Sequence, residues 1–144
     1  MKKTVLFIGS ITVLSVVAFI AACGSGAGNA APGKAIATGP AGNNLTAIVA
    51  NADGVLRKGA QEFTLTFADA SGKPVDVGAA AFNLHMAAMG SMSAMNNTAT
   101  LATTGTPGVY KGKAEVDMAG EWQAQITYEG PAGKGSFTLP ITAR

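Results

Sequence analysis

From about residue 44 onward, apolar and polar positions alternate in short runs, the period-two pattern of half-buried β-strands. Phe63, Leu65 and Phe67 fall on one face, with Thr64 and Thr66 between them. Asp69-Ala70-Ser71-Gly72-Lys73 then supplies turn residues, and residues 74–77 resume an extended pattern. Near the end, Trp122, Ala124, Ile126 and Tyr128 alternate with Gln123, Gln125 and Thr127. After Gly130-Pro131-Ala132-Gly133-Lys134-Gly135, the residues Phe137, Leu139 and Ile141 alternate with Ser136, Thr138 and Thr142. These two runs and the turn between them predict the clearest hairpin in the chain. Residues 45–50, 80–86, 98–103 and 109–116 read as further short strands. No 3.6-residue periodicity long enough for a substantial helix occurs after residue 22. About seven short strands in about 100 residues predict an all-β fold, an immunoglobulin-like antiparallel β-sandwich. A small closed barrel is the alternative.

The first part of the chain is patterned differently. Lys2 and Lys3 precede an apolar run over residues 5–22, and small residues lead into Cys23, the only cysteine. This is the layout of a secretory signal peptide. The run is long enough for a transmembrane helix, but Gly9, Ser10, Thr12 and Ser15 dilute it and no basic stop-transfer cluster follows. Ile20-Ala21-Ala22-Cys23 looks like a lipobox, the signal in which the cysteine is diacylated and becomes the mature N-terminus. Two acyl chains hold a protein on a bilayer where one does so only marginally. Residues 24–43 are Gly, Ala, Asn, Ser and Pro with almost nothing large, too little apolar surface to offset the entropy of ordering. The expected organisation is therefore a signal peptide over 1–22, lipidated Cys23 on a flexible tether over 23–43, and a strand domain over 44–144. The expected location is extracytoplasmic, lipid-anchored to the cell membrane or an outer membrane.

Charge narrows the partners. The chain has ten basic and eight acidic residues, and removal of Lys2 and Lys3 leaves eight of each. No basic patch supports nucleic-acid binding, and no acidic block suggests a solvating tail. With its thiol acylated, the mature domain has neither a disulfide nor a thiolate. One histidine and scattered carboxylates form no recognisable nucleophile–base pair, so an enzyme is not expected.

The candidate chemistry lies in His85-Met86-Ala87-Ala88-Met89-Gly90-Ser91-Met92-Ser93-Ala94-Met95. Of six methionines one is the initiator, four lie in this segment beside the only histidine, and the last is Met118. A neutral, polarisable thioether matches Cu(I), and imidazole suits either copper oxidation state. Zinc fits less well, because its sites use thiolate, imidazole or carboxylate donors. The four methionines repeat every three residues, which throws them to alternate faces of a strand but to one face of a polyproline-like or 3₁₀ turn. Gly90 and the serines disfavour a regular helix, so the segment is expected on a loop leaving a strand that ends near His85. The competing reading is packing, since methionine fills irregular gaps and makes adaptable surfaces.

With the Met-rich segment, Thr106-Pro107-Gly108-Val109-Tyr110 and Asp117-Met118-Ala119-Gly120-Glu121-Trp122 in this order, the chain resembles the YtkA-like family, related to FixH-type proteins. The resemblance runs over residues 45–143. It implies a short extracytoplasmic domain held by a lipid or one transmembrane helix, of a kind often linked to copper handling or respiratory-complex assembly. Gly108 and Gly120 also suit tight turns, and Tyr110 and Trp122 suit the core of adjacent strands. The sequence departs from relatives in having small residues where many place a proline. It also has Ser91 where a histidine or methionine would add a ligand. Two functions are expected. In one, His85, Met86, Met89, Met92 and Met95, completed by Met118, bind Cu(I). In the other, the domain docks on an envelope protein without metal, using its methionines as contacts.

Overall fold

The computed structural model describes residues 33–144. The expected signal peptide, Cys23 and the first part of the expected tether lie outside the described residues. Nine strands follow in order: β1 (Lys34–Gly42), β2 (Leu45–Asn51), β3 (Gly59–Ala68), β4 (Ala79–Met86), β5 (Met95–Thr98), β6 (Thr100–Thr103), β7 (Val109–Val116), β8 (Gly120–Gly130) and β9 (Gly133–Ala143). They form two antiparallel sheets, ordered β1-β2-β3-β7-β6 and β5-β4-β8-β9. The fold is the all-β sandwich expected, with nine strands instead of about seven.

Three differences from the expected strands stand out, the first being that residues 74–77 form only an isolated bridge from Pro74 to Ala68 and no strand. The segment expected as tether as far as residue 43 is in part a strand, because Lys34–Gly42 is β1. It pairs with β2 across Asn43 and Asn44, whose φ angles of 53° and 59° are the left-handed pair of a type I′ hairpin turn. The strand expected over residues 98–103 is divided. Thr98 pairs with Asn83 of one sheet and Thr100 with Lys113 of the other. Between them Ala99 is buried, and its N–H donates to the Phe82 carbonyl at 2.8 Å. The chain changes sheets at that residue.

The inner faces close around Phe67, whose ring meets Tyr128, Tyr110 and Phe137 at centroid distances of 5.2, 6.0 and 6.3 Å. Trp122, Phe82, Leu65, Leu84, Met86 and Ile126 are the other largest fully buried side chains. Opposite ends of the sandwich then differ. At one end lie the start of β1 (Lys34 opposite Asn51), the start of β3 (Gly59 opposite Val116) and the start of β8 (Gly120 opposite Ala143). Leu56 bridges to Ala143 there and ties the two sheets together. β4 ends and β5 begins at this same end.

Candidate functional site

The methionine segment is a hairpin, and its centre is the two-residue turn Gly90-Ser91. Met89 and Met92 exchange both backbone bonds, Met89 N–H to Met92 O at 3.1 Å and Met92 N–H to Met89 O at 2.9 Å. Gly90 has φ +56°, the positive value that a type II′ hairpin turn requires at its first central residue. Three residues out from this pair on each strand, Met86 pairs with Met95. The three-residue spacing therefore folds back on itself into two cross-strand methionine pairs.

Those pairs belong to opposite faces. Along β4, Phe82, Leu84 and Met86 are buried while Asn83 and His85 point outward. Met86 is 2% exposed, and Met95 packs against the same core. Continued alternation to Met89 and Met92, in unbroken register, places that pair on the outer side with His85. There they are 52% and 42% exposed, the two large exposed hydrophobics among the described residues. Met89, with Ala87, Glu121, Gln123, Pro140 and Thr142, lines a shallow groove of about 270 Å³ over the end of β8 and β9. The segment expected on a loop is thus a hairpin: the turn makes the methionine spacing symmetric, and strand pleating divides the four between two faces.

Met118 joins the inner pair's end of the sandwich. Its carbonyl accepts from the Trp122 indole N–H at 3.0 Å, and its side chain packs half-buried on the core. Asn97 Nδ2 donates to Glu115 O and Asp117 Oδ2, both at 2.8 Å, and draws this connection against β5. Met86, Met95 and Met118 are packing residues in this arrangement. The six residues are thus divided, with His85, Met89 and Met92 on the outer face and Met86, Met95 and Met118 toward the core.

His85 has a partner that composition gave no reason to single out. Its Nδ1 lies 2.8 Å from Asn96 Oδ1, the side chain directly across the β4–β5 ladder. An amide oxygen only accepts, so Nδ1–H is the donor, and in the neutral imidazole the Nε2 lone pair is then the one open to a metal. Asn83 Nδ2 donates to the same Asn96 oxygen at 3.5 Å and to Gln125 Oε1 at 3.1 Å. The outward amides thus form a connected strip beside the imidazole. The legible signal was Asn96-Asn97 directly after Met95, once the hairpin register is known.

The donors on the outer face are therefore two thioethers and one imidazole nitrogen, a set that fits a soft monovalent cation. His85 and Met89 are four residues apart on one strand edge, about 13 Å between Cα atoms. Both side chains must lean over the small Ala87 to share an ion. Among the described residues, no three His, Cys, Asp or Glu side chains gather as a metal-binding group.

The family model described as YtkA-like matches residues 41–127 of the chain. No curated protein and no solved structure gives a significant match.

Proposed function

The chain belongs to the YtkA-like family, and on that premise we propose that it is a lipid-anchored extracytoplasmic protein that binds Cu(I) through Met89 and Met92, with His85 Nε2 as a third donor. In this reading it holds or passes on copper outside the cytoplasm. The observation that carries it is the exposed, reciprocally hydrogen-bonded methionine pair. Directly opposed residues of an antiparallel pair present their side chains on one face, with Cβ atoms about 5 Å apart. Two flexible thioethers fixed at their roots in this way converge on one ion with little backbone rearrangement. Thioethers bind without releasing protons, and they outlast thiols in an oxidising compartment.

Titration with Cu(I) against a competing chromophoric chelator, under anaerobic reducing conditions, tests the proposal. One-to-one competition that is lost in Met89→Ala/Met92→Ala supports it. Absence of competition at micromolar protein overturns it.

A second reading draws on the same exposure. Solvent-facing methionines make an adaptable contact surface, and a metal-free docking module for an envelope protein would use them so. Retention of an envelope partner by the wild type and its loss in the double variant, with no copper competition by either, would favour this reading.

A further inference from the structure

The start of β1 and the methionine hairpin lie at the same end of the sandwich. Lys34 pairs with Asn51 at the end where Gly120 pairs with Ala143, and where β4 stops at Met86 and β5 starts at Met95. The Asn43-Asn44 turn and the Gly130–Gly133 turn lie at the opposite end. The chain thus enters the domain at the same end as its exposed thioethers, along the β9 edge of the sandwich.

Sequence distance limits how far this end can stand from an anchor at Cys23. Gly33 lies ten residue steps beyond Cys23, and ten steps span at most about 35 Å when fully extended. An eleven-residue strand such as β8 is itself about 36 Å long. If Cys23 is embedded in a bilayer, the methionine end is held within tether reach of it, and the turn end stands up to a strand length farther away.

The chemistry of that end suits a lipid surface. Residues 87–94 carry no charge, and they hold the two exposed thioethers. Lys34 and Lys58 are exposed nearby. Asp53 is paired with Arg57 and Asp117 is held by Asn97, while the exposed carboxylate of Glu121 lines the groove beside Met89. Two methionine side chains are a smaller apolar anchor than one acyl chain, which by itself binds a bilayer only marginally. Tethering changes this, because a short linker supplies an effective concentration in the millimolar range.

We infer that the Met89-Gly90-Ser91-Met92 turn is a membrane-contacting tip, which rests on the headgroup boundary of the bilayer that carries the acylated Cys23. This rests on the lipid-anchor reading of the proposed function. It adds that the thioethers face the membrane, so an ion bound there is exchanged at the bilayer surface and not from the distal end of the domain.

The test uses the full acylated protein in vesicles of phosphatidylethanolamine and phosphatidylglycerol, without added metal. Acylation leaves no native thiol, so Ser91→Cys, or Ser71→Cys in the turn after β3 at the far end, takes a single environment-sensitive dye. Flotation reports the anchor, and quenching by nitroxide on the lipid acyl chains reports contact. The expected result is flotation of both proteins, with a blue shift and quenching for the dye at Ser91→Cys and neither at Ser71→Cys. Adding Met89→Ser and Met92→Ser should abolish the quenching and leave flotation intact. Flotation with equal, weak quenching at both positions overturns the orientation and spares the anchor. Quenching that survives the serine substitutions overturns the thioethers as the contact. Failure to float overturns the anchor and the inference together.

Discussion

The Tyr128 hydroxyl donates to the Ala41 carbonyl at 3.0 Å and accepts from Asn43 Nδ2 at the same distance. Tyr128 stands in β8 of the four-stranded sheet and Ala41 in β1 of the other, so one buried hydroxyl joins the sheets beside the Asn43-Asn44 turn. Tyr128→Phe leaves the ring in place and removes this link. It should cost about 1–3 kcal/mol, the range for leaving a buried polar group without its partner. Urea denaturation measures the loss, and hydrogen exchange should rise first in β1.

Aromatic rings cover glycines at two cross-strand pairs. Phe63 lies over Gly112, where a Cβ would come within 2.2 Å of its ring, and Tyr128 lies over Gly135 in the same way. Gly112→Ala therefore forces Phe63 from its place against Phe82, whose ring centroid is 4.5 Å away. The expected destabilisation is about 1–3 kcal/mol. Gly105→Ala, at a position with open space around it, should change the thermal midpoint little. Equal effects of the two substitutions would contradict the packing described.

The sandwich was legible because its strands alternate cleanly, as in Trp122 to Tyr128 and Phe137 to Ile141. β1 was not. Its Ala, Gly and Pro content reads as chain too poor in apolar surface to order, yet small side chains are what its position requires. A Cβ on Gly39 would lie 2.4 Å from Leu139 Cδ2, so β1 packs against β9 only because it is small there. The switch at Ala99 left no mark either, since Thr98, Thr100 and Thr103 suit a strand in either sheet. At the candidate site the composition singled out the methionine segment. What it lacked was the position of the turn, and only the turn at Gly90-Ser91 decides which methionines share a face.

The division of the methionines predicts unequal effects on stability. Met86 is buried, with its Cε 3.0 Å from where a Gly120 Cβ would stand. Met86→Ala should cost about 2–5 kcal/mol. Met89→Ala, at an exposed site, should stay within about 0.5 kcal/mol. Denaturant midpoints of the two variants check this.

The turn after β3 has a pH signature. Asp69 is held below the ordinary aspartate range, first by the Ser71 hydroxyl and then by the Lys73 backbone N–H. A carboxyl lowered by folding contributes stability above its unfolded range and loses it as pH falls through the lowered folded value. NMR titration of the Asp69 carboxyl carbon should give a midpoint below that of a free aspartate. Ser71→Ala should move the midpoint upward.

The most direct test of the copper reading is to follow the five methionine methyl groups of the domain by NMR, with carbon-13 methyl labelling, as a soft ion is added. Ag(I) serves as a redox-stable probe beside Cu(I) under anaerobic reducing conditions. The account predicts that Met89 and Met92 shift together and saturate at one equivalent, that His85 Nε2 shifts with them, and that Met86, Met95 and Met118 stay near their starting positions. Shifts at Met86, Met95 and Met118 with Met89 and Met92 unmoved would place the site inside the sandwich and contradict the account.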